Sequence, residues 1–142
     1  MKKTQFLTIL ILSLALTGCG KETLNCSKTE ENDSGIAKAN HVITFNNGKI
    51  TNYKIQMGIE LEDKYQDYAD TFLKDLEKAF DDYKDMEGVT YNLNNDNNTV
   101  SITLEGNYQK MDDDSKKAFG IDGSVTAKDA KKKLEDEDYV CK

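Results

Sequence analysis

Hydrophobic and polar residues alternate along four stretches of the chain, a period of two that predicts β-strands. The first stretch runs from residue 40 to the turn-forming Asn46-Asn47-Gly48, and the second covers residues 53–61, where every odd position is apolar. The third and fourth, residues 89–93 and 100–104, flank the polar run 94–98. We therefore expect two hairpins, each with one face in the core and the other in water.

The spacing changes between the hairpins, where apolar side chains recur every three or four residues and predict a long amphipathic helix over residues 62–86. Its stripe consists of Tyr65, Tyr68, Phe72, Leu76, Ala79 and Tyr83. Gly88 lies where a helix end or a left-handed turn is expected. A short helix is expected around residues 111–119, and a last one should begin at Thr126, an N-cap with Asp129 three positions later.

The predicted order is ββαββα, which favours an α+β fold: a mainly antiparallel sheet of about four strands with helices packed on one face. Residues 40–142 would form this single domain. Residues 19–39 are mostly polar and charged, so we expect them to form an irregular lead-in to it.

The first eighteen residues predict an exported protein. Lys2 and Lys3 precede an apolar run at 6–16, about as long as a secretory signal needs and shorter than the ~20 residues that span a bilayer. Leu16-Thr17-Gly18-Cys19 resembles a bacterial lipobox, so residues 1–18 would be removed and Cys19 would be acylated. We therefore expect an extracytoplasmic protein anchored to the cell membrane by lipid. In a cell with two membranes, Gly20 in place of an aspartate favours the outer one.

Cys26 and Cys141 are two further thiols of the exported segment, and an even pair in an oxidising compartment predicts a disulfide. The alternative, a redox-active or metal-binding pair, has less support because the chain contains one histidine and no Cys-x-x-Cys motif. With Cys26 pinned, only residues 20–25 would form the tether, and six residues reach at most ~20 Å. The domain would lie close to the membrane.

Charge narrows the range of partners. The formal net charge is −7, and removal of residues 1–18 with their two lysines leaves −9. An acidic surface repels nucleic acid and anionic lipid head groups, so membrane contact is expected through the anchor, while a cationic partner stays possible.

Residues with catalytic or metal-binding chemistry form no recognisable set, so no catalytic residue, metal or cofactor is assigned. His41 is in phase with apolar neighbours, which favours a structural role. Asp112-Asp113-Asp114 is more typical of a solvated helix start than of a cation site. An EF-hand count beginning at Asn94 fails because Thr99 replaces the required glycine. A hydrolase or metal-dependent enzyme built on acidic residues remains an alternative.

The most distinctive predicted surface is the polar side of the strands, which we treat as a candidate binding face for an envelope protein. A simple solvated face is the competing interpretation. The side chains are those of Asn52, Lys54, Gln56, Thr90, Asn92, Ser101 and Thr103.

Four segments together resemble the YehR-like small lipoproteins of bacteria, a domain of unknown function. They are Gly18-Cys19-Gly20, Asn47-Gly48-Lys49, residues 83–89 (YKDMEGV) and residues 124–132 (SVTAKDAKK). The resemblance implies an exported, lipid-anchored α+β domain and supplies no catalytic residues. The leading hypothesis is a non-enzymatic binding or accessory domain at the cell envelope. A minor alternative is that a released signal-peptide fragment such as residues 11–18 acts as a peptide signal.

Overall fold

A computed structural model describes residues 20–120 and 123–142 of the chain. Its main element is a six-stranded antiparallel sheet with the spatial order β4-β5-β3-β2-β1-β6. The strands are β1 (Lys21–Asn32), β2 (Gly35–Asn46), β3 (Lys49–Leu61), β4 (Val89–Asp96), β5 (Thr99–Asn107) and β6 (Val140–Cys141).

The predicted ββαββα order with about four strands is wrong, because the described residues run βββ-α-ββ-α-α-β. The expected irregular lead-in is also wrong, since β1 occupies Lys21–Asn32 and pairs with β2 along its whole length. Its inward positions carry Leu24 and Cys26 but then Lys28 and Glu30, so a continuous apolar alternation is missing. Backbone pairing with β2 stabilises β1 where the side-chain pattern does not indicate a strand.

Both predicted hairpins are present. The turn between β2 and β3 places Asn47 and Gly48 at φ values of 51° and 77°, and Asn97 between β4 and β5 has a φ of 53°. Asparagine and glycine tolerate this left-handed region, which two-residue hairpin turns require. On β3, the odd positions face the core as predicted.

The long helix predicted over residues 62–86 is shorter. Its centre is α1 (Ala69–Ala79), preceded by a 3-10 helix at Asp63–Tyr68 and followed by another at Asp81–Tyr83. Phe80 leaves helical geometry, with φ −117° and ψ 17°. In the tighter 3-10 turns, Tyr65 and Tyr83 still pack against the core, whereas Tyr68 of the predicted stripe is 55% exposed.

Two later helices complete the layer over the sheet. They are α2 (Asp113–Ala118) and α3 (Ala127–Asp136), where the Thr126 hydroxyl caps α3 by accepting a hydrogen bond from the Asp129 backbone N–H at 3.2 Å. α1 contacts β4 and β5, whereas α3 contacts β1 and β6. The core lies between this layer and the inward sheet face, and includes the fully buried Ile43, Phe45 and Ile102. In the described part of the chain, no helix is both long and apolar enough to cross a bilayer.

Candidate functional site

The predicted polar face exists as a surface of three adjacent strands, β3, β5 and β4. Lys54 lies opposite Glu105, which lies opposite Thr90; Gln56, Thr103 and Asn92 form the next row. Asn52 and Ser101 are on the same side, and the Asn52 side-chain amide donates a hydrogen bond to the Glu105 carboxylate at 3.1 Å. All seven predicted side chains are thus on the face opposite the helices, where their hydroxyl and amide groups offer donors and acceptors to solvent or to a partner.

Sequence reasoning missed a groove on the other side of the sheet. α1 covers β4 and β5 at one edge of the sheet, and α3 covers β1 and β6 at the other edge. Between the two helices, a gap is left over the end of β1, the beginning of β2 and the end of β3. The gap is a groove of about 460 Å³. Its lining includes Ala37, Ala39, Met57 and Ile59 as the floor, Phe72 and Leu76 of α1 as one wall, and Tyr139, Lys28 and Glu30 at the opposite wall.

The register explains why the groove is deep at this point. Ala37 lies opposite Ile59 on β3 and Glu30 on β1, while Ala39 lies opposite Met57 and Lys28. Two alanines between longer neighbours leave a depression, because a methyl group extends less far from the sheet than the side chains of Glu30, Ile59, Lys28 and Met57. The volume is within the range of small-ligand pockets, roughly 300–1,000 Å³.

Charged groups at the rim are arranged around Lys28. Its ammonium lies 2.9 Å from the Glu30 carboxylate, donates to the Glu137 backbone carbonyl at 3.3 Å, and is 5.9 Å from the centre of the Tyr139 ring. The hydrogen bond to Glu30 raises the pKa of Lys28. The cation is therefore already partnered. The neighbouring residues 135–138, Glu-Asp-Glu-Asp, are all acidic and exposed.

His41 lies beyond the inner end of the groove, between two tyrosines. Its Nδ1 is 2.6 Å from the Tyr53 hydroxyl, and the Tyr139 ring meets the imidazole edge-on with 4.8 Å between ring centres. Burial lowers the pKa of His41, and the charge of Glu137 opposes that shift in part. Burial also raises the pKa of Tyr53. These contacts suit a neutral imidazole that joins β2, β3 and the residue before β6.

Cys26 and Cys141 are brought together as directly opposed residues of β1 and β6, with their sulfur atoms at bonding distance and their Cα atoms 4.0 Å apart. The neighbouring pair, Asn25 and Lys142, exchanges two backbone hydrogen bonds of 3.1 and 2.8 Å. The cysteines therefore occupy a non-hydrogen-bonded position, where opposed residues of antiparallel strands approach most closely. This pairing fixes β6, and with it Tyr139, beside the groove.

Other predicted residues have local roles or fall outside the described part. Asp112 is the N-cap of α2; its carboxylate accepts the Ser115 backbone N–H at 2.7 Å, and hydrogen bonds from Ser115 lower its pKa. Asp113 and Asp114 lie 3.7 and 3.6 Å from lysines of the same helix. Among residues 20–120 and 123–142, no group of three His, Cys, Asp or Glu residues is placed to hold a metal. Cys19 lies outside the described residues.

The sequence contains only a weak indication of β1, the strand that completes the groove. Leu24 and Cys26 alternate with Thr23 and Asn25, which is a short strand pattern, but Lys28 and Glu30 interrupt it. Which residues line the groove depends on the pairing of β1 with β2 and β3, and therefore on contacts between distant parts of the chain.

No protein-family model and no curated protein matches the chain. The solved structures include an NMR structure of a protein from Streptococcus pneumoniae TIGR4 that is similar over 100% of this chain and 96% of that chain, with a TM-score of 0.53 and 14% identity. The NMR structure of the E. coli YehR protein aligns with 80% of this chain and 79% of its own, with a TM-score of 0.46 and 18% identity. The pneumococcal likeness shows a shared fold. Membership of the YehR-like family stays a prediction.

Proposed function

We propose that this chain is a lipid-anchored binding domain of the bacterial cell envelope, which acts by docking another envelope component in the groove between α1 and Tyr139. The groove itself is the observation that carries the proposal. It combines an apolar floor, two side walls and a charged rim, the features that distinguish binding sites from ordinary surface. The lipobox-like segment ending in Cys19 supplies the anchor in this proposal.

The start of β1 suggests how such a domain would be oriented. The carbonyl of Gly20 accepts a hydrogen bond from the Asn47 backbone N–H at 2.8 Å, and β1 begins at the next residue. The expected tether of residues 20–25 is therefore almost entirely strand. An acylated Cys19 would hold the β2–β3 turn at the membrane surface.

The groove would then lie well away from the lipid. Lys28 and Glu30 follow Gly20 by eight and ten residues along β1, and a strand advances ~3.3 Å per residue, which puts the groove rim roughly 26–33 Å along the sheet from the anchor. At that distance, an incoming protein reaches the groove without first contacting the bilayer.

Site-specific photo-crosslinking in intact producer cells tests the proposal. A photoreactive residue would replace Phe72 in the groove, Asn92 on the polar face, or Lys128 on the outer side of α3 as a control. We expect a discrete crosslinked product at Phe72 alone. We also expect Cys19→Ala to abolish both fatty-acid labelling and this product.

Other outcomes would favour the polar face over the groove as the binding surface, or would contradict the proposal. A product at Asn92 instead of Phe72 would transfer the binding role to the polar face. Equal background at all three positions would contradict a binding role for the groove, and a wild-type protein without fatty-acid label would overturn the anchoring.

A further inference from the structure

We propose that the groove binds a positively charged peptide segment of an envelope protein, with one large apolar side chain on the alanine floor and flanking lysines or arginines beside acidic groups of both walls. This inference rests on the proposed function, because it takes the groove as the docking site. It adds the chemistry of the partner.

The floor accepts an apolar side chain. Ala37, Ala39, Met57 and Ile59 present methyl and thioether groups, and Phe72 borders them from α1. An aliphatic or aromatic residue in this depression would be enclosed on three sides. Such enclosed anchors supply most of the binding free energy in peptide recognition.

The cation of the groove rim is already engaged. The Lys28 ammonium is paired with the Glu30 carboxylate at 2.9 Å and donates to the Glu137 backbone carbonyl at 3.3 Å. An incoming carboxylate or phosphate would have to displace the Glu30 carboxylate. The rim therefore does not offer a vacant cation to an anionic ligand.

Unpaired anions flank the groove on both sides. On the Tyr139 side, residues 135–138 are all acidic; Glu135 is 3.7 Å from Lys131, whereas Asp136, Glu137 and Asp138 form no ion pair within the described residues. On the α1 side, exposed Asp75 follows Phe72 by three residues and so shares its side of the helix. Lysines or arginines on either side of an apolar anchor would meet these carboxylates.

Charge also distinguishes a basic peptide from other occupants. A fatty acid, an anionic phospholipid or a second copy of this chain would each bring negative charge to an acidic rim, on a chain whose formal charge of −7 becomes −9 when residues 1–18 and their two lysines are removed. Complementary charge favours both the encounter and the correct partner, whereas like charge disfavours them. A basic, partly apolar peptide is the occupant that matches both the floor and the rim.

Peptide titration against the mature lipidated protein, which begins at Cys19, in neutral detergent tests this inference. The probe is a fluorescent nine-residue peptide with a central tryptophan flanked by lysines, measured by anisotropy. Control peptides replace the tryptophan by serine or all lysines by glutamates. We expect saturable binding of the probe, weakened by salt, and at least tenfold weaker binding of either control.

Two protein variants locate the binding. The triple variant Asp136→Asn, Glu137→Gln, Asp138→Asn removes three carboxylates from the Tyr139 side; asparagine suits position 138, where φ is 67°. We expect about tenfold weaker peptide binding, as three exposed charge pairs would supply. The matched control Asp113→Asn, Asp114→Asn, Glu87→Gln changes net charge equally at exposed positions away from the groove and should leave binding within about twofold.

A separate variant, Ala39→Leu, fills the floor and should abolish binding if circular dichroism shows that the protein is folded. The triple variant keeps the test decisive if Ala39→Leu does not fold. The inference would be overturned if the glutamate peptide bound as tightly as the probe, or if both triple variants weakened binding equally. It would also be overturned if oleate or self-association of the protein displaced the probe. A persistent crosslink at Phe72 with no peptide binding would reject the basic peptide and retain the groove as a docking site.

Discussion

At the scale of single residues, His41 connects stability to pH. Burial lowers its pKa below the ordinary value of about 6.5, so the native state holds the neutral imidazole. As the pH falls through about 6.5, His41 of the unfolded chain binds a proton, whereas His41 of the native chain binds one only at lower pH. The free energy of unfolding should therefore decrease as pH falls below about 6.5, until the native imidazole is also protonated.

NMR titration of the imidazole measures this directly, and the assignment is unambiguous because the chain has one histidine. We expect a midpoint below 6.5 in the folded protein. His41→Gln should flatten the dependence of the free energy of unfolding on pH between about 7.5 and 5.5. A native midpoint at or above 6.5 would contradict the assigned environment.

Gly88 supplies a second prediction at this scale. Its φ is 78°, and a Cβ there would lie 2.8 Å from backbone atoms of Lys110 and Met111. Gly48 has nearly the same φ, 77°, but open space around it. Gly48→Ala should cost about 1–2 kcal/mol from backbone conformation alone, and Gly88→Ala should cost clearly more because backbone must move.

Urea denaturation of both variants separates the two effects. Equal destabilisation would show that the segment after Asn107 yields easily, against the close approach seen in the structure. The left-handed turn at Gly88 is predictable from the sequence, because it follows a helical pattern. Its contact with residues 110–111 is not, because it depends on how β4 and β5 align.

At the scale of elements, local pattern indicates a strand only where alternation is continuous. β3 carries five apolar residues at successive inward positions, so its existence and its buried face could both be predicted. β1 carries Lys28 and Glu30 at inward positions next to the groove, where a partly open surface tolerates charge. Lys28 and Glu30 thus help to line the candidate site, and they also interrupt the apolar alternation by which β1 could have been predicted from the sequence.

The C-terminal strand depends on a covalent link more than on its own pairing. β6 has two residues, and the link between Cys26 and Cys141 spans 115 residues of sequence. In the chain-entropy model, a loop near that length gains ~4.7 kcal/mol, and loss of a native disulfide commonly costs about 2–5 kcal/mol. Cys26→Ala with Cys141→Ala should lower the free energy of unfolding by an amount in that range.

The same double variant should also loosen Tyr139. The expected signature is faster amide hydrogen exchange at Asn25 and Lys142, which pair across β1 and β6, with little change at the Lys54–Glu105 pair in the middle of the sheet. Peptide binding in the groove should weaken as well, because one wall is freed. Uniformly faster exchange over the whole sheet would instead indicate a general loss of stability.

At the scale of the whole molecule, the sheet separates an end near the anchor from an end near the groove. The turn at Asn47 and Gly48 is beside Gly20. Asp96 lies at the turn between β4 and β5, which is at the opposite end of the sheet. A twelve-residue strand such as β1 is ~40 Å long, so the two ends would be at very different heights above a membrane.

Energy transfer to labelled lipid in nanodiscs measures those heights. A donor dye at Lys49 should transfer strongly to acceptor-labelled lipids, and a donor at Asp96 should transfer much less, because the sheet would stand on its Gly20 end. Cys19→Ala should abolish transfer at both positions by removing the anchor.

A flexible twelve-residue Gly/Ser insertion after Gly20 is the matched control. Such a linker behaves as a random coil of about 20 Å root-mean-square length, so it should let the domain tumble and bring the two transfer efficiencies together. Equal efficiencies in the protein without the insertion would mean that the sheet lies flat or swings freely. In that case the groove would not be held at a fixed height, and a partner embedded in the bilayer would become as accessible to it as one arriving from outside.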